Sequence, residues 1–333
     1  MKKKIIAIVA VVLVVVLTCS LAACSKSMFD GSYKKEATSE QAKSSWDGIR
    51  VAFGIDSASL ATASSDSEEI VKGWTGVKFT ASDVYSSAYS YNGEAREYSQ
   101  NVKSEGSFLF DGSAMAVSGA VNTKNKRGDK SNEANLNAGI YIKEDVLYTG
   151  LTIGDASLNV QFPADSDKDI AASAIKNKLG DVTDELSGIA INTIGNLVYQ
   201  LTYSELMEYT GIKAYIDDSG KYNRIKYVFS ADLIYDLYDT GYFGDDFQTA
   251  AKFGDCSIII VTDKETNSFQ GAKISYVFSY ENDKDFSISV NSTASIENCS
   301  QIKASYPSNL KDYKNVKDIS IGDVTNFLKA LNW

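Results

Sequence analysis

From about Glu94 onward, apolar residues recur at every second position between clusters of turn residues, the pattern of half-buried antiparallel strands. Phe108 to Phe110 runs into Asp111-Gly112, a two-residue hairpin signal, and Met115, Val117 and Val121 continue beyond it. The polar run from Thr123 to Glu133 reads as an exposed loop. Leu136, Ala138, Ile140 and Ile142 then alternate with Asn135, Asn137, Gly139 and Tyr141, and Lys143-Glu144-Asp145 turns the chain into Val146 to Leu151. Leu158, Val160 and Phe162 close this meander before Pro163.

The period then changes. Ile170, Ile175, Leu179, Val182, Leu186, Ile189, Leu197 and Leu201 recur at helical steps, with Gly180, Gly188 and Gly195 leaving one helix or two open, and a further turn covers Ser204 to Tyr209. Asp165 to Asp169 resembles an EF-hand opening, but Ile170 stands where that loop needs Gly and Lys176 where it needs Glu, so an acidic helix N-terminus is the better account. Strands return at Ile212 to Ile216, and after the turn Asp217 to Gly220 the residues Ile225, Tyr227, Phe229 and Ala231 share a face. Cys256 to Val261 forms another strand and Asp263 to Asn267 a turn. Ala272, Ile274, Tyr276, Phe278 and Tyr280 line one face of the next strand, and Phe286, Ile288 and Val290 follow a turn at Asn282 to Asp285. Val324, Phe327, Leu328 and Leu331 mark a C-terminal helix. Before Glu94 the signals are weaker: a helix through Trp46 and Ile49, and a capping-box spacing at Ser65 to Glu68. Strands, helices, strands, helix is an α+β order, without the βαβ alternation of a parallel sheet.

The start of the chain carries its most specific motif. Lys2, Lys3 and Lys4 precede an apolar run from Ile5 to Leu17, too short for a membrane span of about 20 residues, and Leu21-Ala22-Ala23-Cys24 follows. This resembles the lipobox of bacterial lipoproteins. The resemblance implies cleavage of residues 1–23 as a signal peptide, a diacylglyceryl group on the Cys24 thiol, acylation of the new amino group, and attachment to the extracytoplasmic face of the cell membrane. Residues 24–45, rich in Ser, Lys, Glu and Gln, read as a lipidated tether. Residues 46–333 read as one α+β domain or two halves divided near 165–210.

Composition narrows the function classes. Without residues 1–23 the chain keeps 30 basic and 43 acidic residues, a formal charge of −13, which argues against nucleic acid and leaves membrane attachment to the acyl chains. The sequence contains no histidine, which removes Ser-His-Asp and Cys-His catalysis and the usual His-ligated metal sites. The expectation is a non-catalytic protein with no cofactor and no metal. Asp232, Asp236, Asp239, Asp245 and Asp246, interleaved with Tyr235, Tyr238, Tyr242 and Phe243, offer oxygen ligands or a sugar-stacking surface, and equally a solvated helix face. Tyr85, Tyr89 and Tyr91 are open to surface recognition or to packing.

The lipobox, the hairpin Tyr141 to Tyr148, the central helices and the late meander with its Asp263 to Asn267 turn together resemble the lipid-carrier lipoproteins of the LolA and LppX type. That resemblance implies a curved, half-barrel-like antiparallel sheet with helices packed on one face, and binding or transfer of a lipid or other amphiphile. Tyr227, Phe229, Ile274, Tyr276, Phe278, Tyr280 and Phe286 are the candidate ligand-facing residues; the same side chains also suffice to fill a core beneath helices. The alternative class is a structural or adhesin-like surface module without a ligand cavity.

Cys256 and Cys299 remain after Cys24 is assigned. A simple meander places Cys256 opposite Tyr276 and Cys299 opposite Ser268, eight residues apart on the shared strand, or about 26 Å at about 3.3 Å per residue. A disulfide needs Cα atoms within about 7 Å. Two thiols are therefore expected.

Overall fold

The computed structural model describes residues 27–52, 73–91, 93–162, 203–204, 212–230, 251–282, 286–303 and 305–330. The chain divides into two compact units. One contains Thr75–Ser187 and Cys299–Trp333 with Met1–Ala22, and the other Ala23–Trp74 and Gly188–Asn298. We call the first the hairpin unit and the second the strap unit. The expected helices from Ile170 to Leu201, the capping box at Ser65 to Glu68 and the acidic run from Asp232 to Asp246 lie outside the described residues.

The strap unit opens with strand β1 (Lys35–Glu36) and helix α1 (Ser39–Ala52). The hairpin unit supplies β2 (Gly76–Tyr91), β3 (Glu94–Leu109), β4 (Met115–Arg127), β5 (Lys130–Lys143), β6 (Val146–Ile153) and β7 (Ala156–Phe162). The chain returns to the strap unit with β8 (Lys213–Asp217), β9 (Tyr222–Val228), β10 (Ala251–Phe253), β11 (Ser257–Asp263), β12 (Phe269–Asn282) and β13 (Phe286–Asn298). It ends in the hairpin unit with β14 (Lys314–Asn315) and α2 (Ile321–Ala330).

In the hairpin unit β2 to β7 form an antiparallel meander in chain order, and β14 joins β7 in parallel. Register sorts its side chains cleanly. Val77, Phe108, Met115, Ile142, Leu147 and Phe162 form one row across the strands, and Val102, Val121, Leu136 and Ile153 another on the same apolar face. The opposite face is polar along the row Glu105, Ser118, Gly139, Gly150 and Asn159, and beside that row Ala116 and Tyr141 are buried in a cluster with Leu310 and Tyr313. At the β5–β6 turn Glu144 and Asp145 both take positive φ (53° and 63°), the twist that suits a two-residue hairpin.

Three expectations change here. Thr123 to Glu133 is not a loop: β4 and β5 pair through Thr123↔Ala134 to Arg127↔Lys130, and only Gly128 and Asp129 turn. Both faces of this stretch are wet, so it needs no apolar alternation to stay paired. Asp111-Gly112 does not make a two-residue hairpin; strand pairing ends at Phe108↔Met115, and Asp111 Oδ1 accepts from the Ser113 N–H (2.8 Å) and hydroxyl (2.6 Å) inside a wider turn. The Ser-, Ala- and Tyr-rich stretch before Glu94 is the 16-residue strand β2.

In the strap unit the order is β1-β8-β9-β11-β12-β13, with β10 also on β12. Strand β11 is buried at all seven positions, so both its faces are covered. Helix α1 covers one face. Thr38 and Gln41 cap it reciprocally: the Gln41 N–H donates to Thr38 Oγ1 (3.2 Å) and the Thr38 N–H to Gln41 Oε1 (3.0 Å). Ala42, Trp46 and Ile49 fall on its buried side, and Trp46 meets the Tyr227 ring edge-on at 5.2 Å.

Residues 27–36 cover the other face, where a tether was expected. Phe29 is buried with Ile259 and Val261. Gly271 lets this strap approach, because a Cβ there would stand 2.9 Å from Met28 Sδ and 2.6 Å from the Ile296 carbonyl. Arg224 Nε donates to the Met28 carbonyl (2.6 Å), and Asp217 accepts from the Ser32 and Ser219 N–H groups. The Ser219, Ser32 and Arg224 interactions hold the Asp217 carboxyl below the usual carboxylate range. The few apolar and aromatic residues of the strap, Met28, Phe29 and Tyr33, set no period along the chain.

Candidate functional site: the aromatic face of the strap unit

All seven candidate ligand-facing residues lie on one face of the strap sheet. Register sets them in successive rows. Ile216, Ile225, Ile260, Ala272 and Ile296 form the first, and Ala214, Tyr227, Ile258, Ile274 and Ala294 the second. Phe229, one step beyond Tyr227, and Tyr276, one step beyond Ile274, come next. Phe253, Phe278 and Val290 follow, then Ala251, Tyr280 and Ile288, and finally Phe286 opposite Asn282.

The rows differ in cover. Under α1 the side chains are sealed: Tyr227, Ile258 and Ile260 are each 0% exposed, and the Tyr227 hydroxyl donates to the Ala42 carbonyl at 2.6 Å. Burial raises the Tyr227 pKa far above the ordinary tyrosine value. At the far end Phe278 and Tyr280 are buried among Phe253, Tyr276, Phe286, Ile288 and Val290. Phe278 lies 5.2 Å from Phe253 and 6.3 Å from Tyr276, and Tyr280 lies 6.0 Å from Phe286. Phe229, Ile274, Tyr276 and Phe286 remain half-buried.

A break in the neighbouring strand lies beside Tyr276. Phe253 pairs with Phe278 and Ser257 with Ser275, so one strand advances four residues while its partner advances three. The extra residue falls in Gly254 to Cys256. The Gly254 N–H donates to the Val277 carbonyl (2.8 Å), and a Cβ at Gly254 would come within 2.9 Å of the Val277 side chain. Such bulges bend a strand and re-aim its side chains, commonly beside binding sites.

Cys256 is buried next to this break, and its Sγ donates to the Val277 carbonyl (3.7 Å). Burial pushes its thiol pKa up, so it is a poor nucleophile. Neither Cys256 nor Cys299 is disulfide-bonded. The pairing Ser257↔Ser275 keeps the expected β11–β12 register up to Ser257, with Cys256 itself in the break, while Gly271↔Glu297 shifts the β12–β13 register by one residue from the expected value. Cys24 lies outside the described residues.

Two features of the hairpin unit had weaker signals. On its polar face a cavity of about 160 Å³ is lined by Ser118, Asn137, Gly139, Gly150, Asn159 and Tyr313, with Tyr141 beside them. Tyr141 and Tyr313 lie over glycines: a Cβ at Gly139 would meet Tyr141 Oη at 2.0 Å, and one at Gly150 would meet Tyr313 Oη at 2.7 Å. The glycines are therefore accounted for by the tyrosines that cover them. On the apolar face, where the hairpins reach solvent, Tyr85 and Tyr98 rings lie 5.9 Å apart and Arg96 sits 4.7 Å from the Tyr91 ring centre. Tyr89 and Tyr91 belong to the same face and are 39% and 54% exposed.

Among the described residues no three His, Cys, Asp or Glu side chains gather as a metal-binding set, and no helix is long and apolar enough to cross a membrane. No family model matches the chain, and no curated protein matches it by sequence.

Proposed function

We propose that the protein is a lipid-anchored, extracytoplasmic and non-catalytic lipoprotein that binds a lipid or other amphiphile along the aromatic face of its strap unit. The observation that carries this reading is the grouping of Tyr227, Phe229, Ile274, Tyr276, Phe278, Tyr280 and Phe286 on one face, sealed under α1 and half-open at Tyr276. An acyl chain takes its affinity from apolar area, at about 25 cal/mol per Å², and needs no catalytic group. A curved, half-barrel-like sheet with helices packed on one face would complete such a site. Cys24 carries the anchor in this reading, and cleavage after Ala23 frees it.

Replacing Tyr276 and Phe278 together by Ala is expected to lower binding of a fluorescent fatty-acid probe at least tenfold while the melting transition persists. Absence of probe binding by the unaltered chain would reject the amphiphile.

A second reading rests on its own observation. Tyr85, Tyr89, Tyr91 and Tyr98 share the exposed end of one sheet face, with Arg96 stacked on Tyr91. That surface suits a structural or adhesin-like module, and it predicts partner binding that survives loss of Tyr276 and Phe278 and fails on loss of Tyr89 and Tyr91.

A further inference from the structure

The strap unit does more than hold its own N-terminal segment; it also fixes how far the body of the protein can stand from a lipid on Cys24. This argument rests on the lipid-anchor reading. Only Ser25 and Lys26 separate Cys24 from Ser27, the first described residue. Three Cα–Cα steps reach at most about 11 Å, even fully extended. The polar headgroup layer on each side of a bilayer is itself about 5–8 Å thick.

Beyond Ser27 no slack remains. The Ser27 N–H donates to Asp30 Oδ2 (3.0 Å), and the Met28 carbonyl accepts from Arg224 Nε (2.6 Å). Phe29 is 3% exposed, and the Tyr33 hydroxyl donates to the Phe29 carbonyl (2.5 Å). Lys35 pairs with Ile216 in β1–β8, and the Ala37 N–H donates to the Ala214 carbonyl (2.9 Å). These contacts run without a gap into the Thr38 cap of α1.

We infer that the strap unit sits directly on the bilayer surface, with the β8–β9 turn (Asp218 to Lys221) and the β11–β12 turn (Lys264 to Ser268) toward the headgroups. Arg224 ties Met28 to the first turn, since its Nη1 donates to the Ser219 carbonyl (3.1 Å). The second turn adjoins the first, since Lys221 lies 3.5 Å from Asp263 and the Lys264 N–H donates to the Lys221 carbonyl (3.2 Å). Charge does not drive the apposition. Lys35 and Lys221 face Asp218 and Asp263 at 3.8 and 3.5 Å, and Lys264 donates to the Asp218 carbonyl, so this end offers no polybasic patch. The bilayer is held by the acyl chains, and the short covalent reach sets the distance. Strand β12 then leads away from the strap, placing Glu281 ten residues, or about 33 Å, beyond Gly271.

The test uses the full lipidated chain in phosphatidylcholine vesicles containing a headgroup-linked nitroxide lipid. A fluorophore is attached at Ser219→Cys or at Glu281→Cys, both exposed, while Cys256 and Cys299 are buried. Quenching several-fold stronger at 219 than at 281 is expected. A 20-residue Gly/Ser insertion between Lys26 and Ser27, whose coil spans about 25 Å, is expected to abolish the difference. Acyl mass on Cys24 with equal quenching at the two positions would overturn the apposition alone. Absence of acyl mass would overturn the anchor and the apposition with it.

Discussion

At the base of the β2–β5 hairpins Val77, Phe108 and Val117 are 2%, 3% and 1% exposed, whereas at their tips Tyr89 and Tyr91 reach 39% and 54%. One unbroken ladder joins the two ends, from Gly76↔Leu109 to Tyr91↔Glu94. The backbone pairing is the same; the side-chain environment is not. At the base, apolar rows bury area and fix the register, because a one-residue slip would turn Val77, Phe79 and Ala81 to the polar face. At the tips, charged pairs take over: Lys124 with Glu133 and Lys126 with Glu97 at 2.6 Å, and Arg127 with Glu94 at 2.7 Å. Exposed pairs of this kind are worth about 0–1 kcal/mol each. The base therefore specifies the hairpins, and the tips extend from it with their tyrosines open to solvent.

Three substitutions break or sharpen this contrast. Phe108→Ala should cost about 3–5 kcal/mol in chemical denaturation, as for other fully buried aromatic residues. A cost below about 1 kcal/mol would mean that the base row is not a packed core. Glu105→Gln has a smaller effect that depends on pH. Burial raises the Glu105 carboxyl pKa, against the opposing pull of Lys78. The folded state thus holds this proton more tightly than the unfolded state, and the associated stability is present below the unfolded value and lost as pH rises through the folded one. The glutamine variant should therefore be more stable than the native chain at pH 7, with the difference vanishing near pH 4. Thermal melts at the two pH values read it directly, and an unchanged difference would remove burial as the cause. Tyr91→Ser should cost no more than about 1 kcal/mol, since Tyr91 is exposed and its contact with Arg96 is a surface cation–π pair. A larger loss would show that the tip is packed rather than presented.

The same contrast explains what the sequence revealed. Where one face is buried, alternation is readable: Leu136, Ala138, Ile140 and Ile142 take the apolar face and Asn137, Gly139 and Tyr141 the other, as expected. Where both faces are wet, as from Thr123 to Glu133, paired strands leave no period and read as loop. Strand β11 is the opposite extreme. Buried throughout, it was legible as an apolar run, although nothing in Ile258 to Val261 told which neighbours covered it. The strap was invisible because its hold depends on Phe29 together with distant residues, Asp217, Arg224 and Gly271. The Thr38 and Gln41 cap marks the start of α1 and emerges only from the structure.

The candidate site divides in the same way. The i, i+2 spacing of Ile274, Tyr276, Phe278 and Tyr280 was enough to place them on one face, and Tyr227 and Phe229 joined them through the pairing of β9 with β11 and β11 with β12. The bulge at Gly254 to Cys256 was not legible. It arises from a one-residue mismatch between two registers, which neither strand carries alone.

Native mass spectrometry of the mature chain produced without its acyl group, after mild purification from cells, tests the central claim most directly. The account predicts a population carrying one bound amphiphile of lipid mass, lost in the Tyr276→Ala, Phe278→Ala double variant while the charge-state distribution of the folded chain is retained. An unliganded mass alone, together with no uptake of added fatty acid or phospholipid, would contradict it.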